Sequence, residues 1–186
     1  MTSAGREKLK DELRSMIAGR GDGVDLDTEF RWVVSGIRQP EAFFRNLSLL
    51  LPPGSILYFE GCSVCSDVSE FYESHRAPDG VAVVRDTIFP VPVCFHVGFS
   101  PEVVIRLCEM ATSRASNELF DHIKAYREGA LLFTFHDAFA NDLLIADHIT
   151  EPAVAEFSKR LAASYSREPN VGRRDPGLLR KILLAL

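Results

Sequence analysis

Residues 123–147 read IKAYREGALLFTFHDAFANDLLIAD. Two apolar runs in this stretch, 123–127 and 130–136, flank Glu128-Gly129, and this pattern is typical of a β-hairpin with a tight turn. Asn141-Asp142 then turns the chain into a third apolar run, Leu143–Asp147. Three strands joined by such short turns predict an antiparallel meander in the second half of the chain.

The rest of the chain alternates between strand-like and helix-like segments before it reaches this meander. The predicted strands are Thr28–Ile37, Ser55–Glu60, Val81–Ile88 and Val93–Phe99. The predicted helices are Ser3–Ala18, Glu41–Leu50, Asp67–His75, Pro101–Thr112, a helix that starts at Thr150, and a short helix after Asp175-Pro176. Because strict alternation of strands and helices fails in the second half, we expect an α+β fold rather than a doubly wound parallel sheet. The expected domain has a mixed, largely antiparallel sheet covered by helices, with helical arms at both ends.

The two ends of the chain are predicted to lie outside the compact domain. Residues 1–26 form an N-terminal helical arm with a glycine-rich link, residues 27–165 the core domain, and residues 166–186 a linker with a short helix. The last helix carries an apolar stripe, which we interpret as a partner-binding surface because a short helix is marginally stable alone in water. Packing of the terminal helices on the protein's own core domain is the alternative. The stripe consists of Leu178, Leu179, Ile182, Leu183 and Leu186.

Composition and charge exclude several classes of protein. The chain has 186 residues, a formal net charge of −5 and four cysteines. An acidic balance argues against a protein whose main task is to bind nucleic acid phosphates. No apolar stretch is long enough for a membrane span, and the hydrophilic N-terminus shows no signal peptide. We therefore expect a cytoplasmic protein with reduced thiols, without nucleic acid or membrane partners.

Gly61-Cys62-Ser63-Val64-Cys65-Ser66 lies between a predicted strand and a predicted helix. At a helix N-terminus the positive end of the helix dipole lowers a thiol pKa, so Cys62 would be the nucleophile and Cys65 the resolving thiol. This position resembles the redox motif of thioredoxin-like proteins. The same small residues also suit an ordinary tight turn between a strand and a helix.

A second interpretation joins the same cysteines to Cys94 and His96. Residues two apart on a strand share a face, so Cys94 and His96 could act together. Cys62, Cys65, Cys94 and His96 would then form a tetrahedral zinc site. The alternative is a buried cysteine beside a hydrogen-bonded core histidine.

A third candidate site consists of histidines and carboxylates. Glu118 and His122 are four residues apart on a possible helical turn and would share a face. His136-Asp137 follows a predicted strand, and strand ends often present functional groups. Glu118, His122, His136 and Asp137 are therefore candidates for acid–base chemistry or for binding a divalent ion, and His96 could point toward them.

No glycine-rich phosphate loop is present, so no cofactor is predicted. The leading functional hypothesis is a non-catalytic module that binds a protein partner or itself through its terminal helices. The alternative is an enzyme that uses the Cys62/Cys65 pair or the histidine–carboxylate site, with or without a metal ion. The sequence leaves open whether the protein is an enzyme.

Overall fold

A single seven-stranded sheet forms the centre of the protein. The computed structural model describes residues 24–78, 80–87 and 90–170. Every pair of neighbouring strands is antiparallel, and across the sheet the strands lie in the order Val93–Gly98, Ile56–Gly61, His122–Arg127, Ala130–Phe135, Leu143–Ala146, Phe30–Ser35 and Ser164–Pro169. The expected α+β class is confirmed, and the sheet is antiparallel throughout rather than mixed.

Seven strands and five helices make up this part of the chain. The strands are β1 (Phe30–Ser35), β2 (Ile56–Gly61), β3 (Val93–Gly98), β4 (His122–Arg127), β5 (Ala130–Phe135), β6 (Leu143–Ala146) and β7 (Ser164–Pro169). The helices are α1 (Pro40–Asn46), α2 (Ser66–Ser74), α3 (Pro101–Ser113), α4 (Ser116–Leu119) and α5 (Glu151–Arg160), and a 3₁₀ turn, Leu47–Leu49, follows α1. In the described ranges, no helix combines the length and apolar character that a bilayer crossing requires.

One face of the sheet carries a core rich in aromatic rings. Alternate strand residues such as Phe59, Ile123 and Phe133 point to this face and are fully buried. Phe43 of α1 lies at its centre, and its ring contacts five other phenylalanines with centroid distances between 5.5 and 6.1 Å. Such edge-to-face packing adds to the apolar burial that stabilises the domain.

The opposite face of the sheet is covered by residues 81–87, which have no regular secondary structure. We name these residues the cover segment. The predicted strand Val81–Ile88 is therefore wrong over this segment, which makes only an isolated bridge between Val83 and Val24. Val83 packs with Tyr58 and Tyr126, so its β-branched side chain serves a small second core rather than a strand.

The predicted hairpin is confirmed. β4 and β5 pair across Glu128 and Gly129, whose φ angles are +52° and +78°. The two-residue hairpin turn that matches the twist of the strands requires positive φ angles at both of its residues. Gly129 meets this requirement at no steric cost.

The predicted domain boundaries differ from the structure at both ends. Ser166–Pro169, which we assigned to a linker, belong to β7 and pair with β1 along its whole length. An edge strand tolerates polar residues on both faces and proline at its end, so its composition resembles a linker. Leu26, assigned to the N-terminal link, is buried in the second core. The two predicted terminal helices lie outside the described residues.

We expect Phe43→Ala to destabilise the protein by about 3–5 kcal/mol, because it leaves a cavity among closely packed rings. Chemical denaturation followed by circular dichroism measures this change. Ile105→Ala on α3 is the control, since Ile105 is 61% exposed and its truncation should cost below about 0.5 kcal/mol. Equal effects of the two substitutions would show that Phe43 is not central to the core.

Candidate histidine–carboxylate site

His122 and His136 lie side by side at one end of the β4–β5 pair. His122 opens β4 and His136 follows β5, one position beyond the paired residues Ile123 and Phe135. Their imidazole rings are stacked, with centroids 4.4 Å apart and planes inclined by 8°. His122 is buried, whereas the His136 side chain is about half exposed.

Asp86 of the cover segment completes a group of three metal-ligating side chains. One potential ligand atom from each of Asp86, His122 and His136 lies within 4.8 Å of the other two. Asp86 Oδ2 is 3.8 Å from His136 Nδ1. Among the described residues this is the one group of three or more such side chains that are close enough to hold an ion.

Asp137 contacts the outer side of the His136 ring. Its Oδ2 atom lies 3.1 Å from His136 Nε2, while the other ring nitrogen faces Asp86. A carboxylate beside one nitrogen favours the ring proton there and leaves the second nitrogen with a free lone pair. His136 Nδ1, which lies on the Asp86 side of the ring, is therefore the nitrogen through which a neutral His136 would bind an ion.

Two buried charged residues hold the cover segment over the histidines. The fully buried Glu60 carboxylate accepts hydrogen bonds from the main-chain N–H groups of Asp86 and Thr87. Lys124, which is 1% exposed, donates from Nζ to Val84 O at 2.6 Å. Its Nζ also lies 3.0 Å from Asp86 Oδ2. In the described part of the chain, this oxygen is buried and accepts no hydrogen bond of good geometry.

His122 is held by hydrogen bonds on both ring nitrogens. The main-chain N–H of Asp137 donates to Nδ1 at 2.8 Å, and Nε2 lies 2.8 Å from Thr87 Oγ1. Because Nδ1 accepts, the ring proton is on Nε2 and is donated to the hydroxyl. A general base for Thr87 would have to accept at Nε2, so this pair does not have the arrangement of an activated nucleophile.

Glu118 does not belong to this group, and its predicted shared face with His122 is wrong. Helix α4 ends at Leu119, and His122 is already in a strand, so helical spacing does not apply. The Glu118 carboxylate instead accepts the N–H of Ala115 at 2.9 Å. It therefore caps the first turn of α4.

Cys62 and Cys65 are both free thiols. Helix α2 begins at Ser66 with Cys65 as its N-cap, so Cys62 precedes the first turn. Partial desolvation and the nearby Asp121 carboxylate raise the pKa of Cys62. This shift is opposite to the lowered pKa that thiol–disulfide exchange requires, and the geometry gives the redox interpretation no support.

The four predicted zinc ligands do not form a metal group in the described ranges. Cys94 Sγ accepts a hydrogen bond from the Tyr58 hydroxyl at 3.1 Å, and burial raises the pKa of the Cys94 thiol. His96 Nδ1 is 2.8 Å from the Tyr126 hydroxyl, and burial together with Arg76 lowers the pKa of the imidazole. His96 is hydrogen-bonded, as the alternative interpretation expects, but it is half-buried and not part of the core.

Three residues that complete the site were not predicted from the sequence, namely Asp86, Glu60 and Lys124. Glu60 and Lys124 could have been identified from the sequence, because each is a charged residue inside an otherwise apolar strand. Such residues need buried partners, and the partners are often functional. The proposed partner-binding residues Leu178, Leu179, Ile182, Leu183 and Leu186 lie outside the described residues.

Comparison with known proteins found no matching family model, no matching curated protein and no matching solved structure. The function is therefore argued from the geometry of these side chains.

We expect Lys124→Met to destabilise the protein by about 3–5 kcal/mol, because it leaves the buried Oδ2 atom of the Asp86 carboxylate without its cation. Urea denaturation measures the change. Arg127→Met in the same strand is the matched control, since its ion pair with Glu128 is exposed and should contribute below about 1 kcal/mol. A loss at Lys124 no larger than that at Arg127 would contradict the supporting role of the ammonium.

Proposed function

We propose that this protein binds a divalent transition-metal ion through Asp86, His122 and His136. The observation that carries the proposal is the convergence of one carboxylate and two imidazoles within 4.8 Å. With metal–ligand bonds of about 2.0–2.2 Å, two ligands of a tetrahedral ion lie about 3.3–3.6 Å apart. The 3.8 Å between Asp86 Oδ2 and His136 Nδ1 is close to this separation.

The donor set favours particular ions. Imidazole nitrogens suit zinc, iron, cobalt, nickel and copper, whereas calcium and magnesium prefer sites built from oxygen alone. Three protein donors also leave coordination positions open to water or to a further ligand, as in metal sites that perform chemistry. The proposal therefore keeps the enzyme alternative open and narrows its chemistry to metal-assisted reactions.

The surroundings of the three donors also support a cation. Glu60 and Asp137 add two carboxylates to that of Asp86, and the Lys124 ammonium, 3.0 Å from Asp86 Oδ2, offsets one of these three negative charges. Asp137 supplies the carboxylate that orients a ligating histidine through its second nitrogen, an arrangement that is common around protein-bound metals. His136 can therefore bind an ion through Nδ1 while it keeps its contact with Asp137 through Nε2.

Isothermal titration calorimetry with Zn²⁺ and Co²⁺ tests the proposal. We expect binding of one ion per chain, and we expect Asp86→Asn and His136→Gln to weaken it by roughly 10-fold or more, because each removes a ligand. Co²⁺ adds an absorption spectrum that reports nitrogen ligation.

His148→Gln is the matched control, because this exposed histidine lies in the turn before α5. Its substitution should leave the affinity unchanged. Absence of binding, or equal loss in all three variants, would show that the ion does not use this site.

A second proposal concerns self-association, for which β7 provides a specific observation. β7 is an edge strand of the sheet, and all six of its residues are exposed. An edge strand can pair with a second chain. The apolar stripe predicted at Leu178–Leu186 follows β7 closely in sequence. We propose that β7 and these residues form a surface that binds a second copy of the chain.

Removal of residues 171–186 tests the second proposal. We expect light scattering to show a smaller assembly for the truncated chain than for the full chain, while circular dichroism shows an intact sheet. An unchanged mass would contradict self-association through this segment. For both proposals we place the protein in the cytoplasm, which agrees with its four free cysteines.

A further inference from the structure

The lone pair of His122 is already used in the structure. A neutral imidazole has one nitrogen that accepts and one that donates. The accepting nitrogen, Nδ1, receives the main-chain N–H of Asp137 at 2.8 Å. A metal ion must therefore compete with this amide for the ring.

The result of this competition is the same for either ring nitrogen. If the ion binds Nδ1, it takes the place of the Asp137 amide directly. If the ion binds Nε2, the ring proton moves to Nδ1. The Nδ1–H group of His122 and the main-chain N–H of Asp137 are then two donors that face each other. In both cases the Asp137 amide loses its acceptor.

The amide belongs to a turn with an unusual backbone. Asp137 has a φ angle of +42° and Phe139 one of +70°. Residues other than glycine adopt positive φ angles only at a cost in conformational free energy, so the surrounding contacts must hold Asp137 and Phe139 in this conformation. The hydrogen bond to His122 is one of the contacts that hold Asp137.

Other contacts fix the far side of the turn. The Phe139 ring packs against Phe135 and Phe43 with centroid distances of 5.2 and 5.7 Å. The N–H of Ala138 donates to Asp121 O at 2.9 Å, and that of Ala140 donates to Asp137 O at 3.0 Å. Because these contacts do not involve His122, the loss of one hydrogen bond should be confined to the Asp137 peptide.

We propose that metal binding at Asp86, His122 and His136 releases the Asp137 amide and changes the conformation of the peptide between His136 and Asp137. This inference rests on the proposed metal site and assigns it a conformational response. The turn lies at the surface, with His136 and Asp137 exposed. A binding partner that contacts this turn could then distinguish the metal-bound protein from the metal-free protein by the backbone conformation.

Backbone amide hydrogen exchange, followed by NMR with and without Zn²⁺, tests the inference. Without Zn²⁺ the Asp137 amide should be protected, and with saturating Zn²⁺ it should exchange roughly 10-fold faster or more. The Ala138 amide, which donates to Asp121, should keep its exchange rate and is the internal control.

His122→Phe provides a second measurement that needs no metal. The phenyl ring keeps the aromatic shape and has no acceptor, so the Asp137 amide should exchange quickly without Zn²⁺. His148→Gln should exchange like the unaltered chain. A protected Asp137 amide in His122→Phe would overturn the inference.

Calorimetry on the same samples separates the two proposals. If Zn²⁺ binds and the Asp137 amide keeps its protection, the inference is wrong and the metal site stands. If Zn²⁺ does not bind, the proposed metal site is wrong and the inference falls with it. Faster exchange at Asp137 together with equally faster exchange at Ala138 would also overturn the inference, because it indicates general loosening of the turn.

Discussion

The buried charges of Glu60 and Lys124 determine where the cover segment lies. Irregular backbone that is packed on a sheet still has N–H and C=O groups that need partners. Glu60 accepts the N–H groups of Asp86 and Thr87, and Lys124 donates to the carbonyl of Val84. These side chains do for the cover segment what a neighbouring strand does in a ladder. As a result, Asp86 lies beside His136, and Thr87 lies beside His122.

The elements that could be predicted from the sequence are those whose local signals agree with their environment. The β4–β5 hairpin combined alternating apolar residues with Glu128-Gly129, and its turn has the expected positive φ angles. The predicted helix Pro101–Thr112 ends within one residue of the end of α3, and Ser100 caps α3 by accepting the N–H of Val103. In both cases a short-range physical rule decides the conformation, and tertiary packing agrees with it.

The predictions for the cover segment and for β7 were wrong for opposite reasons. Val81, Val83 and Val84 have the β-branched character of a strand, but their neighbours supply side-chain partners instead of a ladder. Ser166–Pro169 have the composition of a linker. They belong to a strand because β1 offers a free edge, and because the Arg167 guanidinium lies over the Phe30 ring, 4.4 Å from its centroid. Strand formation depends on packing against distant residues, which local propensity does not contain.

Half of the candidate site could be predicted by similar reasoning. His136 and Asp137 were identified because they follow a strand, whereas His122 was identified through an assumed helical spacing from Glu118 that the structure does not have. Asp86 was missed because it reaches the histidines from a segment without regular structure, 36 residues before His122 in the chain. The Glu118 prediction failed because it assumed a helix that ends before His122.

The alternation of side chains along β2 and β4 separates the chemistry of the protein from its stability. Phe59 and Ile123 belong to the aromatic core, while their sequence neighbours Glu60 and His122 belong to the site on the other face. A donor such as His122 can therefore be exchanged without removing a ring from the core. The sheet separates the aromatic core on one face from the candidate site on the other. Substitutions on the site face alone could therefore give the same fold a different set of metal ligands.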